Sequence, residues 1–143
     1  MSRREPDWID IVCNDWAREK RKYLGIILPE KLEPRERIGA LRCTLAAVRE
    51  EGAGASYATG TRIFPEVFRG DALIVNKIWA AMPQGSKKEL MFLHYVWKEI
   101  YLTVLARELG IEIQRYYELY ADVKEDLEKS LKLEGVSGSA ETV

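Results

Sequence analysis

From Ile113 to Leu131 apolar side chains return at Ile113, Tyr116, Tyr120, Val123, Leu127 and Leu131, at spacings of three, four, three, four and four. Only a helix of about 3.6 residues per turn places such a series on one face; the two-residue alternation of a strand would scatter it over both. The same period recurs upstream. Trp8, Val12, Trp16 and Tyr23 share one side of a helix expected to start just after Pro6, with Asp7 as its cap and Gly25 and Pro29 closing it. After Pro34, a second amphipathic helix carries Ile38, Leu41, Leu45 and Val48. Asp71 opens a segment from Ala72 to Met82 that is apolar on most faces, the expected central core helix, and Pro83-Gln84-Gly85 ends it. Ser86 and Glu89 have the spacing of a capping box for a helix from Lys87 to about Trp97. A short helix over Leu102–Leu109 and a long one over Ile113–Leu133 complete an all-α fold with no sheet of consequence.

Four stretches follow from this punctuation: an N-terminal helical arm over 1–51, a flexible loop over 52–62, a helical domain over 63–133 and a flexible tail over 134–143. The loop, GAGASYATGT from Gly52 to Thr61, has small residues and no helical period, and order is expected to resume at Ile63-Phe64-Pro65. The 143 residues can bury a core of their own, and 47% hydrophobic with 31% charged residues is the balance of a globular chain. A net charge of −1 means that any polyanion must be met by a local patch.

Cys13, Cys43 and His94 are the only cysteines and histidine, too few for a tetrahedral zinc site, and reduced, buried cysteines are expected. His94 lies among Phe92, Tyr95 and Trp97 and reads as a core histidine rather than a catalytic base. No nucleophile–base set and no glycine-rich phosphate loop can be assembled, so neither an enzyme nor a bound cofactor is expected. No stretch reads as a signal peptide or membrane span, which leads to the expectation of a cytoplasmic protein.

One motif carries functional content. Leu102 to Tyr120, LTVLARELGIEIQRYYELY, has the spacing of a helix-turn-helix. Ala106 is small where two helices would cross, and Gly110, four residues on, suits the left-handed turn between them. Leu105, Leu109, Ile111, Tyr116 and Leu119 occupy the expected core positions. In such a unit the second helix enters the DNA major groove while the first braces on phosphates. Glu112, Gln114, Arg115, Tyr117, Glu118 and Ala121 are the residues expected to face outward; Gln114 suits adenine and Arg115 guanine. Arg107, Lys98 and Lys124 are the nearest phosphate contacts. Each is also an ordinary solvated side chain on a helix, and two packed helices joined by a tight turn would leave the same pattern. Leu102 to Glu134 holds five Lys/Arg and eight Asp/Glu, a deficit for a module that must hold DNA alone.

The block from Asp71 to Leu131 resembles the small, zinc-free antitermination Q proteins of lambdoid phages. The carrying features are Asp71-Ala72-Leu73-Ile74-Val75, Leu93-His94-Tyr95-Val96 and Leu102-Thr103-Val104-Leu105-Ala106-Arg107-Glu108-Leu109-Gly110-Ile111, followed by a long helix. The block is similar also to region 4 of bacterial sigma factors. This resemblance covers roughly half the chain well, and the segment with Trp8 and Trp16 is similar to the family's opening segment less specifically. It implies a bacteriophage protein of the host cytoplasm that binds double-stranded DNA near a late promoter. There it would load onto a paused bacterial RNA polymerase, with sigma factor and nascent RNA at hand, and let transcription pass terminators. Arg18, Lys20, Arg21 and Lys22 then become contacts for RNA or polymerase, or remain a solvated helix face. Two alternatives stay open. The seam from Ile113 to Leu131 would serve self-association or docking on the polymerase without DNA contact, and a dimeric late-gene regulator or repressor would use the same helix-turn-helix.

Overall fold

The structure, a computed structural model, describes residues 4–52, 68–99 and 101–136, and within these every regular element is helical. The helices are α1 (Arg4–Leu24), α2 (Pro34–Gly52), α3 (Gly70–Ala81), α4 (Ser86–Phe92), α5 (Leu102–Leu109) and α6 (Ile113–Leu133). A 3-10 turn, Pro29–Lys31, precedes α2, and α4 widens into a π-helical turn over Leu93–Trp97. Gly52, expected to open the loop, still belongs to α2; the remainder of that loop and the return to order at Ile63 lie in 53–67, outside the described residues.

Three aromatic rings organise the core. The Trp16 and Trp79 ring centroids lie 5.9 Å apart and those of Trp79 and Phe92 5.5 Å apart, joining α1, α3 and α4. The polar edges of both indoles are satisfied: Trp16 Nε1 donates to Asn76 Oδ1 at 2.9 Å and Trp79 Nε1 to the Lys88 carbonyl at 3.0 Å. Helix α1, expected as an appended arm, is therefore built into the same core as α3 and α4. Its side chains Val12, Cys13, Trp16 and Ala17 are buried together with Val75, Leu90 and Val96.

Several local expectations change. Helix α1 opens ahead of Asp7, at Arg4. Its end agrees: Gly25 is left-handed (φ 72°), and the Ile26 amide closes on the Arg21 carbonyl at 3.0 Å. The capping box does not form. Gly85 takes the cap position of α4, no side chain bonds there, and the Glu89 carboxylate is held by the Arg49 guanidinium through two bonds of 3.0 and 3.1 Å. A bidentate charge-assisted pair outcompetes a single bond to a backbone amide. The cap of α3 comes instead from buried Lys88, whose ammonium donates to the Ala80 and Met82 carbonyls at 3.1 and 3.3 Å. Of the two cysteines, Cys13 is buried but Cys43 is exposed on α2. Residues 134–136, expected to open a flexible tail, are ordered, because left-handed Gly135 turns the chain so that buried Val136 donates to the Leu131 carbonyl at 2.8 Å; the rest of that tail lies outside the described residues.

The apolar seam of α6 is filled within the chain. Tyr116, Val123, Leu127 and Leu131 are buried, and Ile113 and Tyr120 pack against the same core. A face used in this way is not open for a coiled-coil partner.

Candidate nucleic-acid interface

Helix α5 owes its short, sharp ending to Gly110, whose φ of 76° is the left-handed conformation that a side chain resists. Two amides close the turn: Ile111 donates to the Ala106 carbonyl and Gly110 to the Arg107 carbonyl, each at 3.0 Å. This pairing absorbs two carbonyls that the helix end leaves without partners and aims the chain into α6. Ala106 is 2% exposed and Leu105 fully buried, so α5 meets its neighbours closely along this side. Glu112 stands at the cap position of α6 in extended backbone and makes no side-chain cap bond. Tyr116 and Leu119 point into the core.

The far side of α6 is open. Gln114, Arg115, Tyr117, Glu118 and Ala121 are exposed, as is Glu112 at its start. Arg115 Nη1 lies 3.1 Å from Glu118 Oε1, so the one cation on this face is partly neutralised by its neighbour one turn on. Arg107, on the last turn of α5, is exposed and its Nε lies 3.9 Å from Glu108. Lys98 is exposed at the end of the π turn, with a left-handed φ of 61°.

Lys124 does not join this face. Its ammonium sits 3.1 Å from Asp10 Oδ2 and 5.4 Å from the centre of the Tyr120 ring, and its side chain is 17% exposed. It belongs to a polar cluster that ties α1 to α4 and α6. Asp10 Oδ1 accepts from the Tyr95 phenol at 2.7 Å and the Tyr120 phenol at 3.1 Å. His94 stacks on Tyr120 with centroids 4.3 Å apart, and its Nδ1 shares a 2.8 Å hydrogen bond with the Tyr116 hydroxyl. Burial holds the imidazole pKa down, to about 4, against the opposing pull of Asp10. Burial likewise pushes the nearby Cys13 thiol up to about 12, with Asp10 adding to it, so the sulfur stays protonated and inert. Among the described residues no three His, Cys, Asp or Glu side chains converge as a metal site would need.

The basic run of α1 is divided by the fold rather than presented as a unit. Lys20 is fully buried, its ammonium 4.8 Å from the Trp79 ring centre and 5.8 Å from that of Phe68, so it cannot meet RNA or polymerase. Four residues beyond Trp16, it shares the core-facing side of α1. Arg21 is half-buried and donates from Nη1 to the Tyr95 and Val96 carbonyls at 3.0 and 3.1 Å, capping the π turn. Arg18 and Lys22 alone remain outward, each one turn from an acid: Asp15 at 2.8 Å and Glu19 at 3.9 Å.

Sequence reasoning passed over the arginines of α2. Arg35, Arg42 and Arg49 recur every seven residues, which puts them on one side of a helix, and that spacing was the available signal. Arg42 reaches across to α5, where its Nε and Nη2 donate to the Glu108 carboxylate at 2.9 and 3.2 Å.

Away from this region, a groove of about 710 Å³ runs between α3, the turn at 82–85 with the start of α4, and the C-terminal half of α6, lined by Ile78, Met82, Val123, Leu127 and Leu133 among others. No helix among the described residues is long and apolar enough to cross a membrane. The chain matches no protein-family model, no curated protein sequence and no solved structure.

Proposed function

We propose that this chain is a transcription antitermination factor of the bacteriophage type, using α5 and α6 as a helix-turn-helix on double-stranded DNA. The observation that carries the reading is the two-sided character of α6. Tyr116 and Leu119 anchor one side, while Gln114, Arg115, Tyr117 and Glu118 are exposed on the other, directly after a turn closed at left-handed Gly110. A rigid helix with an open polar face at its N-terminal half is what major-groove readout requires. Gln114 and Arg115 are the side chains suited to base edges, with Tyr117 and the acids Glu112 and Glu118 beside them.

The same face is short of positive charge. Arg115 is paired with Glu118, and Lys124 is committed to Asp10. Phosphate neutralisation supplies much of the affinity for DNA, so α6 alone would hold a duplex weakly. Loading at a paused RNA polymerase answers the deficit, because a second contact raises the effective concentration at the DNA site. Arg18 and Lys22 are the residues of α1 left for RNA or polymerase.

In vitro transcription past an intrinsic terminator tests the proposal. Read-through should rise only on templates carrying the recognised site, and affinity should be far higher for a promoter-proximal paused complex than for naked DNA. Equal affinity for both without read-through would make the chain an ordinary DNA-binding regulator. Binding to polymerase but to no DNA would make it a protein-docking module.

A further inference from the structure

We infer that Arg37 and Arg42 of α2, together with Arg107 of α5, form a cross-helix clamp for the phosphate backbone of duplex DNA. The inference rests on the reading of α5–α6 as a DNA-binding unit and supplies the charge that unit lacks. Three observations place the arginines together. Arg42 Nη2 lies 3.2 Å and Arg107 Nε 3.9 Å from the same oxygen, Glu108 Oε2. Arg37 and Arg107 line one crevice of about 200 Å³ between α2 and α5, with the exposed Tyr101 ring on its wall. Arg107 also sits three residues before Gly110, so the cluster flanks the start of α6. A first helix braces on phosphates at this place when the second enters the groove.

The arrangement at Glu108 leaves cationic charge facing outward. The Glu108 side chain is only 10% exposed, whereas those of Arg42 and Arg107 are 65% and 69% exposed. One covered carboxylate thus meets two guanidiniums, and the sum is one positive charge at the surface. Arg42 spends Nε and one Nη2 hydrogen on the carboxylate and keeps the remaining donors of its fork. Arg37 is steadied in the same manner, with Nε on the Leu32 carbonyl at 3.2 Å. The one acid on the crevice wall, Glu99, accepts from Trp97 Nε1 at 2.8 Å and is held by that bond. Arginines held at the guanidinium lose little side-chain freedom on meeting an anion.

Salt-dependent binding to a short random-sequence duplex, followed by fluorescence anisotropy, tests the clamp. Arg42→Gln and Arg107→Gln should each lower the log–log salt slope by about 0.9, and Arg42→Lys should restore it. Lys129→Gln, on the last third of α6, should leave the slope as in wild type. Glu108→Gln separates contact from scaffolding, since it breaks the same ion pair as Arg42→Gln. Removing the carboxylate should tighten binding at low salt if the arginines touch phosphate. If the pair only braces α2 against α5, Glu108→Gln and Arg42→Gln should weaken binding alike, which overturns the clamp. Steep wild-type salt dependence with unchanged slopes in the arginine variants overturns the clamp and leaves the DNA-binding reading standing. No wild-type binding to duplex at low salt, or binding to single-stranded RNA alone, overturns both. Thermal melts of each variant show whether lost binding reflects lost folding.

Discussion

The indole of Trp16 and the amide of Asn76, sixty positions apart in the chain, form a buried hydrogen bond of 2.9 Å that joins α1 to α3. Neither residue has water to fall back on, so each needs the other. An unmet buried donor costs more than a made bond contributes.

Asn76→Leu should therefore destabilise the fold by about 1–3 kcal/mol, because it leaves the Trp16 N–H unmet. Combining it with Trp16→Phe removes both partners. The double variant should then cost less than the sum of the two single changes in urea denaturation. Strict additivity would mean that the bond contributes nothing.

How much of this was legible depends on the range of the interactions. The bounds of α5 and α6 follow from local signals, the left-handed Gly110 and a period of three and four. Lys20 looked like one charge in a solvated run, yet it lies four residues after Trp16 on the core-facing side of α1, so the period itself contained the warning. The Asp10 cluster carried no such signal. It joins positions 10, 95, 120 and 124, and nothing local marks one aspartate for two phenols and an ammonium. The capping box at Ser86 failed for the same kind of reason, since Arg49 from another helix claims Glu89. Among the candidate site residues, the outward face of α6 was readable from helical geometry. The separation of Lys124 from that face, and the union of Arg42 with Glu108, required the tertiary fold.

The histidine makes stability depend on pH in a defined window. His94 has its pKa lowered from 6.5 to about 4 in the folded chain, so it is neutral there while the unfolded chain binds a proton. Its contribution is complete above about 6.5 and is lost as pH falls toward 4. At pH 4.5 the loss should be about 2 kcal/mol, from roughly 1.4 kcal/mol per unit of pKa. His94→Gln can still hydrogen-bond Tyr116 but does not titrate. Comparing denaturation midpoints at pH 7.5 and 4.5 should show a smaller drop for this variant than for wild type. Equal drops would assign the acid sensitivity elsewhere.

Ala106 should not tolerate enlargement. It is 2% exposed on the α5 face that packs inward, and its carbonyl receives the amide closing the turn. Ala106→Leu should overpack this site and cost about 1–3 kcal/mol, lowering the melting temperature by several degrees. A variant melting together with wild type would mean that α5 does not pack closely at this position.

Base readout and backbone contact should separate by residue. Gln114 and Arg115 are exposed on α6, so changing either to Ala should relax sequence preference by about 1–3 kcal/mol at one base pair. Arg107→Ala should weaken all sequences alike and lower the salt slope, because a phosphate contact carries no base identity. Lys124 belongs to neither class. It is held by Asp10, so Lys124→Ala should lower stability and leave the salt slope of the folded protein unchanged. The measurement is a panel of single-base-pair variants of the selected site, titrated at two salt concentrations. Uniform losses across that panel for Gln114→Ala and Arg115→Ala would show that these side chains position α6 without reading the bases.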